Sequence, residues 1–166
     1  MIELETLAKV PLFKDVRAEA LVYLQPHFKE LEVAKGSVII KDDTEGDQIF
    51  VLVKGSVQVT KDLVRGFDAD QYLTNKVLAK LEGDSLPTFG ENGLLGHGPR
   101  TANIIAVTDC KLYTLAKADF AKFAEYDYQA AYIVMKNIAQ KLSLSLKATD
   151  DNLVKLATAL YIAVQH

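Results

Sequence analysis

The chain has 166 residues, of which 49% are hydrophobic and 25% are charged, and its formal net charge is −3 at pH 7. This composition is typical of a globular domain that needs neither disulfides nor metals for its stability. The 19 basic residues are spread along the chain, which argues against a broad nucleic-acid surface, and no apolar run reaches the roughly 18 residues of a membrane helix. The single cysteine, Cys110, lies in an apolar stretch, so we expect a buried core residue and a cytoplasmic location.

Residues 1–30 are predicted to form short helices. The segments LETLAKVPLF and DVRAEALVYLQPHF carry the apolar spacing of helices. Asp15 is the predicted N-cap of the second helix, and Pro26 is predicted to end it.

Residues 31–116 are predicted to form a strand-rich barrel. Short β-branched and apolar runs are separated by turn clusters such as DDTEGD; the runs are GSVII, QIFVLV, SVQVT, KVLAKL, ANIIAV and KLYTL. Several short strands at this spacing favour an antiparallel sandwich or barrel, such as a jelly roll. The polar stretch LVRGFDADQYLTN is predicted to be the tip of a long hairpin.

Residues 117–166 have the period of helices. A short helix, ADFAKFAEYD, precedes apolar residues at intervals of mostly three and four: Met135, Ile138, Leu142, Leu146, Leu153, Leu156, Leu160 and Val164. A continuous helix here would be about 50 Å long, more than a small barrel can cover, so we predict a homodimer through this helix. The alternative is two shorter helices that fold back on the barrel, with a break at Asp150 and Asp151. We therefore expect one α+β, mainly β, domain over residues 1–166: an antiparallel jelly-roll barrel between short N-terminal helices and a long C-terminal helix.

The stretch FGENGLLGHGPRTA, residues 89–102, contains four of the nine glycines of the chain. Glycines allow successive backbone N–H groups to converge on an anion, and Arg100 can bind a phosphate through two parallel hydrogen bonds. A carboxylate in the same loop would repel phosphate, so Glu91 needs another partner, and a ribose hydroxyl suits it. The loop therefore indicates a nucleotide whose phosphate and ribose lie close together. The Walker and dinucleotide-binding motifs are both absent from the sequence.

The same stretch closely resembles the phosphate-binding cassette of the cyclic nucleotide-binding domain, a pattern of FGE, a small residue, an apolar pair and then PR with Ser, Thr or Ala. The segments IIKDDTEGDQIFVLVKGSVQV, AKVPLFKD and LAKADFAKF also resemble parts of that family. Three features depart from its pattern. Extra residues between GD and FGE predict a bulge in the strand that enters the cassette, Asp43 stands where a glycine is common, and Asn92 replaces a frequent apolar residue.

The resemblance implies a regulatory domain that binds cAMP or cGMP as a ligand, with no cofactor, metal or catalytic activity. It implies that Glu91 accepts a hydrogen bond from the ribose 2′-hydroxyl and that Arg100 pairs with the cyclic phosphate. Thr101 would contact the phosphate or, in some members, a guanine base. The other predicted ligand-binding residues lie in the cassette turn and on the long helix: Phe89, Gly90, Gly93, Leu94 and Ser145. Of these, Gly90 would shape the turn, the N–H groups near Gly93 and Leu94 would meet phosphate oxygens, and Ser145 is near the base in bacterial members or is simply a polar residue on the helix flank.

Two other classes of protein stay open. One is a ligand-free dimerisation module with the same fold, in which Arg100 would pair with Glu91. The other is a jelly-roll metalloenzyme, which needs several histidines inside the barrel, whereas His27, His97 and His166 are scattered along the chain and His97 is predicted to be a solvated loop residue. The stretch NIAQKLSLSLKATDDNLVKL resembles the dimer helix of bacterial catabolite-activator-like regulators. Because no residues remain after it for a helix-turn-helix, we expect no direct DNA binding by this chain.

Overall fold

The computed structural model describes residues 1–62, 75–96 and 98–164. The helices are α1 (Leu4–Lys9), α2 (Ala18–Leu24), α3 (Asn92–Leu95), α4 (Lys117–Tyr126) and α5 (Tyr128–Val164). The strands are β1 (Lys29–Val33), β2 (Val38–Ile40), β3 (Gln48–Lys54), β4 (Ser56–Asp62), β5 (Asn75–Glu82), β6 (Thr88–Phe89), β7 (Asn103–Ala106) and β8 (Cys110–Ala116). Single 3₁₀ turns lie at Pro11–Phe13, Gln25–His27 and Gly83–Ser85. The predicted hairpin tip, except its last residue, and the histidines at positions 97 and 166 lie outside the described residues.

Two four-stranded sheets form the predicted jelly roll, with strand orders β1-β8-β3-β6 and β2-β7-β4-β5. All of the pairings are antiparallel. Each of the six apolar runs forms a strand, so the predicted fold class is confirmed. Two further strands, β1 and β6, were missed. The sequence of β1, KELEV, has only two apolar residues and is mostly exposed, so it does not form an apolar run of the kind that identified the other strands.

Strand β3 explains why one of the runs is apolar at every position. Its residues alternate between two hydrophobic clusters: Phe50 and Leu52 face the barrel interior, whereas Ile49 and Val51 pack with the N-terminal helices and α4 and α5. A strand that is buried on both faces shows no polar alternation. Cys110 is buried in the interior cluster, as predicted, and its thiol donates to the carbonyl of Ser56.

The N-terminal segment differs from the prediction at one helix boundary. Helix α2 begins at Ala18, and Arg17 rather than Asp15 occupies the N-cap position. Asp15 has a φ of +66° in a turn in which the amide of Val16 donates to the carbonyl of Phe13. The tight turn therefore uses the left-handed conformation that aspartate tolerates better than most residues. The helix ends at Leu24, close to the predicted stop, and Pro26 lies in the 3₁₀ turn that follows.

Helix α5 is continuous over 37 residues, which corresponds to a length of about 55 Å. The alternative of two shorter helices with a break at Asp150 and Asp151 is therefore wrong. The polar segment there, KATDDN, contains neither glycine nor proline, so nothing in it forces the helix to end.

Only the first part of α5 packs on the rest of the domain, and every described residue after Lys141 is exposed. Among the described helices, none is long and apolar enough to cross a membrane.

Candidate functional site

The glycine-rich cassette begins where β6 ends and turns into the short helix α3. Strand β6 pairs with β3, Phe89 opposite Phe50, and their rings stack with centroids 5.3 Å apart. At Gly90 the backbone has a φ of +81°, and a Cβ there would lie 2.6 Å from the guanidinium of Arg100. At Gly93 a Cβ would lie 2.7 Å from the carbonyl oxygen of Gln48. Both glycines are therefore required by close approach to neighbouring backbone and side chains.

A 3₁₀ turn stands at the start of the segment before the cassette, where a bulge was predicted. The turn, Gly83–Ser85, is followed by Leu86 with a φ of +47°. The two residue pairs of β3 and β6 show no register shift. The surplus chain is therefore absorbed before β6 begins, and the entry to the cassette is undistorted.

Arg100 is the central cation of the cassette. Its side chain is only 6% exposed, with Nη1 donating to the carbonyl of Gly90 at 2.7 Å and Nη2 to that of Gln48 at 2.9 Å. Its guanidinium carbon lies 5.9 Å from the centroid of the Phe50 ring. Burial lowers the pKa of the Arg100 guanidinium, whereas the nearby carboxylates of Asp47 and Glu91 raise it. The group stays charged at physiological pH, since an arginine is not deprotonated in proteins.

Glu91 is the buried anion of the cassette, with 8% exposure. Its Oε1 accepts a hydrogen bond from the hydroxyl of Thr88 at 3.1 Å and forms an ion pair with Nζ of Lys141 on α5. Nζ of Lys141 also donates to the carbonyl of Thr88. Among the described residues, Glu91 therefore pairs with Lys141, and Arg100 instead donates to main-chain carbonyls.

Sequence reasoning missed Lys141, although the pattern of α5 contained a signal. Val134 and Ile138 are buried against the N-terminal helices and α4. Lys141 follows Ile138 by three residues and so lies on the same face of the helix. A cation that continues a buried face needs an anionic partner, which Glu91 provides.

The remaining predicted ligand-binding residues differ in their exposure to solvent. Leu94 is buried, whereas Thr101 and Ser145 are exposed. Ser145 is one helical turn beyond Lys141 on the same side of α5. The amides of Gly93 and Leu94 donate within the turn, to the carbonyls of Gly90 and Glu91. Asn92, the third departure from the family pattern, begins α3 and is half-buried.

The end of the cassette, at Arg100, is hydrogen-bonded to the loop between β2 and β3. The amide of Asp43 donates to the carbonyl of Arg100 at 2.9 Å, and the amide of Arg100 donates to the carbonyl of Thr44 at 2.8 Å. Asp43 has a φ of +60°, which explains why a glycine is common at this position in the family. A cavity of about 380 Å³ borders this loop and the cassette and is lined by Glu45, Gly46, Asp47, Gly96, Gly98 and Lys117.

This fold and this cassette define a class of ligand-binding domain, in which a jelly roll presents one buried arginine and one buried glutamate from a single glycine-rich turn. A model of the cyclic nucleotide-binding domain matches residues 30–127, which is more than half of the chain. The chain therefore belongs to the cyclic nucleotide-binding domain family, as the sequence motif predicted.

Individual proteins agree with this assignment. A cGMP-dependent protein kinase of Drosophila melanogaster is 34% identical over 99 residues, which are 60% of this chain and 10% of the kinase. A cyclic nucleotide-binding domain from Methylobacillus flagellatus has the same fold, with a TM-score of 0.74 at 20% identity, covering 91% of this chain and 80% of the other. The regulatory domain of Toxoplasma gondii PKA with cAMP superimposes with a TM-score of 0.64 at 22% identity, covering 82% of this chain and 48% of the other. The chain thus spans only a tenth of the length of the Drosophila kinase.

The metal centre of a jelly-roll enzyme needs several histidines close together, and the histidines of this chain are scattered along the sequence. Across the described ranges, no three His, Cys, Asp or Glu side chains are grouped so that they could hold a metal ion. His27 lies 3.6 Å from Asp119 on the outside of the barrel, next to α4. The family match instead assigns the chain to a class of regulatory ligand-binding domains.

Proposed function

We propose that this chain binds a 3′,5′-cyclic nucleotide, cAMP or cGMP, at the cassette and acts as a non-catalytic regulatory module. The observation that carries the proposal is the placement of Glu91 and Arg100, both buried, at the two ends of one glycine-rich turn. A cyclic phosphate is fused to its own ribose, so a ligand of this kind presents an anion and a hydroxyl at a short, fixed separation. The turn offers a cation, Arg100, for the phosphate and a hydrogen-bond acceptor, Glu91, for the ribose hydroxyl.

The number of N–H donors on the Arg100 guanidinium supports a role in phosphate binding. A guanidinium carries five N–H donors, and the two hydrogen bonds to Gly90 and Gln48 use one on each Nη. With respect to the described residues, three donors are left for a ligand, and the two existing bonds hold the plane of the group in place. A preorganised, charged donor of this kind forms the stronger class of hydrogen bond with phosphate oxygens.

Two observations support both bases as candidates. The Drosophila relative is named a cGMP-dependent kinase, whereas the Toxoplasma domain was solved with cAMP. The exposed hydroxyl of Thr101 directly follows Arg100 and can serve the phosphate or a guanine. Ser145 is proposed to contact the base from α5, because it continues the face that carries Lys141.

The ion pair between Glu91 and Lys141 provides a route for the signal. Lys141 belongs to α5 and Glu91 to the cassette, so a ribose hydroxyl that binds Glu91 competes with the ammonium of Lys141 for the same carboxylate. Ligand binding is thereby linked to the position of α5, and a helix with two packings can pass that change to a partner.

The exposed stripe of α5 supports a homodimer. Leu142, Leu146, Leu153, Leu156, Leu160 and Val164 are between 38% and 78% exposed. At about 100° per residue, the stripe lies roughly a quarter-turn around the helix from the face that carries Val134 and Lys141. A second copy of α5 can therefore pack on the stripe without displacing the barrel.

Thermal unfolding with added nucleotide tests the binding proposal. A ligand that binds only the folded state stabilises it by about 2.7 kcal/mol at a hundredfold excess over its Kd. We expect cAMP or cGMP to raise the Tm, and 5′-AMP, which lacks the cyclic ester, to leave it unchanged. An equal shift with 5′-AMP would mean that the site recognises phosphate alone and would contradict the proposal.

A second candidate function is a ligand-free dimerisation module. It is favoured by the internal pairing of both charged groups, since Glu91 has Lys141 and Arg100 has two carbonyls. Stability does not separate the two candidates, because loss of Arg100 removes those hydrogen bonds in either case. If the chain is a dimerisation module, we expect no nucleotide to shift the Tm, whereas the chain still forms a dimer.

A further inference from the structure

Lys61, on strand β4, makes contacts that neither the sequence pattern nor the proposed function accounts for. Its Nζ donates to the main-chain carbonyl of Thr101 at 2.9 Å and to Oδ1 of Asp42 at 3.0 Å. Thr101 directly follows Arg100 at the exit of the cassette, and Asp42 lies in the loop between β2 and β3. One ammonium group therefore joins three separate segments of the chain.

The end of the cassette, residues 100–102, lies between two glycines with open space around them and a paired strand. Before it, a Cβ built at Gly96 or at Gly98 would meet no atom within 4 Å; after it, Asn103 of β7 pairs with Thr60 of β4. The hydrogen bonds between Asp43 and Arg100 and between Arg100 and Thr44 hold the start of this segment. The Lys61 bond holds the next peptide, and it is a charge-assisted bond, the stronger class.

We propose that Lys61 is a positioning residue for the cyclic phosphate, acting through the main chain of Thr101. This proposal rests on the proposed function, in which Arg100 and Thr101 contact the phosphate. By binding the carbonyl of Thr101, Lys61 fixes the orientation of the peptide between Thr101 and Ala102, while the Asp43 amide holds the peptide before Thr101; together they set the direction of the Thr101 hydroxyl. Asp42 in turn holds the ammonium in place, because it accepts from Nζ and its own amide donates to the side chain of Asn103.

The test compares Lys61→Met with Lys61→Arg and with a matched control, Lys80→Met. Lys80 lies on the neighbouring strand β5, is similarly exposed and pairs with Glu82 at 2.8 Å, but that pair lies within one strand. Titration calorimetry with cAMP and with cGMP measures the Kd of each variant. We expect Lys61→Met to raise the Kd about tenfold, the order of one hydrogen bond to a charged group, Lys61→Arg to restore most of the affinity, and Lys80→Met to leave it unchanged.

Measuring the same Lys61 substitution in a Thr101 variant separates a positioning role of Lys61 from a general effect of its charge. In Thr101→Val, which lacks the hydroxyl that Lys61 is proposed to aim, Lys61→Met should raise the Kd by a clearly smaller factor than in the natural chain. The same factor in both backgrounds would overturn the proposal, and so would an unchanged Kd in Lys61→Met or an equal loss in Lys80→Met.

Amide hydrogen exchange without ligand distinguishes a failure of this proposal from a failure of the proposed function. We expect faster exchange in residues 100–103 of Lys61→Met and not of Lys80→Met; unchanged exchange there would overturn the positioning role. If the natural chain binds no cyclic nucleotide, the proposed function fails, and the ligand role of Lys61 fails with it, whatever the exchange rates.

Discussion

Lys141 on the long C-terminal helix forms an ion pair with Glu91, the buried carboxylate of the cassette. The two residues are 50 positions apart in the chain, yet they join the proposed ligand site to the helix that leaves the domain. Every described residue of α5 after Lys141 is exposed. The ion pair therefore lies where α5 leaves the rest of the domain.

Replacing Lys141 by Met should uncouple α5 from the ligand. Because the pair is partly exposed on the Lys141 side, we expect the free energy of unfolding to fall by only about 1 kcal/mol. Hydrogen exchange of residues 134–146 should change on nucleotide binding in the natural chain and not in the variant. Lys136→Met, which changes an exposed lysine of the same helix, should preserve the ligand-dependent change; if Lys141→Met preserves it as well, the proposed route through Glu91 is wrong.

Arg100→Lys should separate charge from geometry in the cassette. Lysine keeps the positive charge but cannot donate to Gly90, to Gln48 and to a phosphate from one rigid plane. We expect nucleotide affinity to fall by a hundredfold or more, on the order of 3 kcal/mol, as for one partner of a buried charge pair. Calorimetric titration measures the loss, and Arg17→Lys, at an exposed ion pair with Asp127, is the control. An affinity equal to that of the natural chain would remove Arg100 from the binding site.

Gly90→Ala should destabilise the protein by more than Gly36→Ala. Both glycines have a positive φ, +81° and +85° respectively, so both substitutions cost backbone strain of about 1 kcal/mol. Only at Gly90 would the new Cβ meet the Arg100 guanidinium, at 2.6 Å, because at Gly36 nothing lies within 4 Å. Urea denaturation of the two variants gives the comparison, and equal losses would mean that Arg100 moves away at no cost.

Helix α5 should become less stable in acid through Asp127. Hydrogen bonding from the Ala130 amide, and then from Arg17, holds the pKa of the Asp127 carboxyl below its usual value. The stabilisation is therefore complete above the pKa of the unfolded chain, about 3.9, and is lost as the pH falls through the folded-state pKa. Asp127→Asn should be less stable than the natural chain at pH 7, with the difference shrinking below about pH 4. The exposed Asp151→Asn is the control, and a pH-independent difference in urea midpoints would contradict this assignment.

The apolar stripe of α5 should hold the proposed dimer together. Leu153→Lys places a charge in the middle of the stripe, whereas Leu144→Lys changes a leucine that is also exposed, at 71%, but lies on the opposite side of the helix. Sedimentation equilibrium should give a dimer for the natural chain and for Leu144→Lys, and a monomer for Leu153→Lys. A natural chain that is monomeric at all accessible concentrations would contradict the dimer.

The sequence alone predicted those parts of the fold and the site whose residues are contiguous in the chain. The cassette occupies contiguous residues, so its motif identified Glu91 and Arg100 together, and the six apolar runs predicted six of the eight strands in the described part of the chain. Strand β1 was missed because most of its residues are charged and it is held by main-chain pairing with β8. The partners Lys141 and Lys61 were missed because their contacts join residues that are 19 to 53 positions apart in the chain. A lysine on a helix or strand gives no local sign of which carboxylate or carbonyl it will reach.

The most direct measurement is calorimetric titration of this chain with cAMP and with cGMP, with 5′-AMP as the control ligand. The account predicts saturable binding of at least one cyclic nucleotide, no binding of 5′-AMP, and loss of the signal in Arg100→Lys. Absence of heat with both cyclic nucleotides, confirmed by an unchanged Tm at the same concentrations, would contradict it and would leave a dimerisation module that retains the cassette without its ligand.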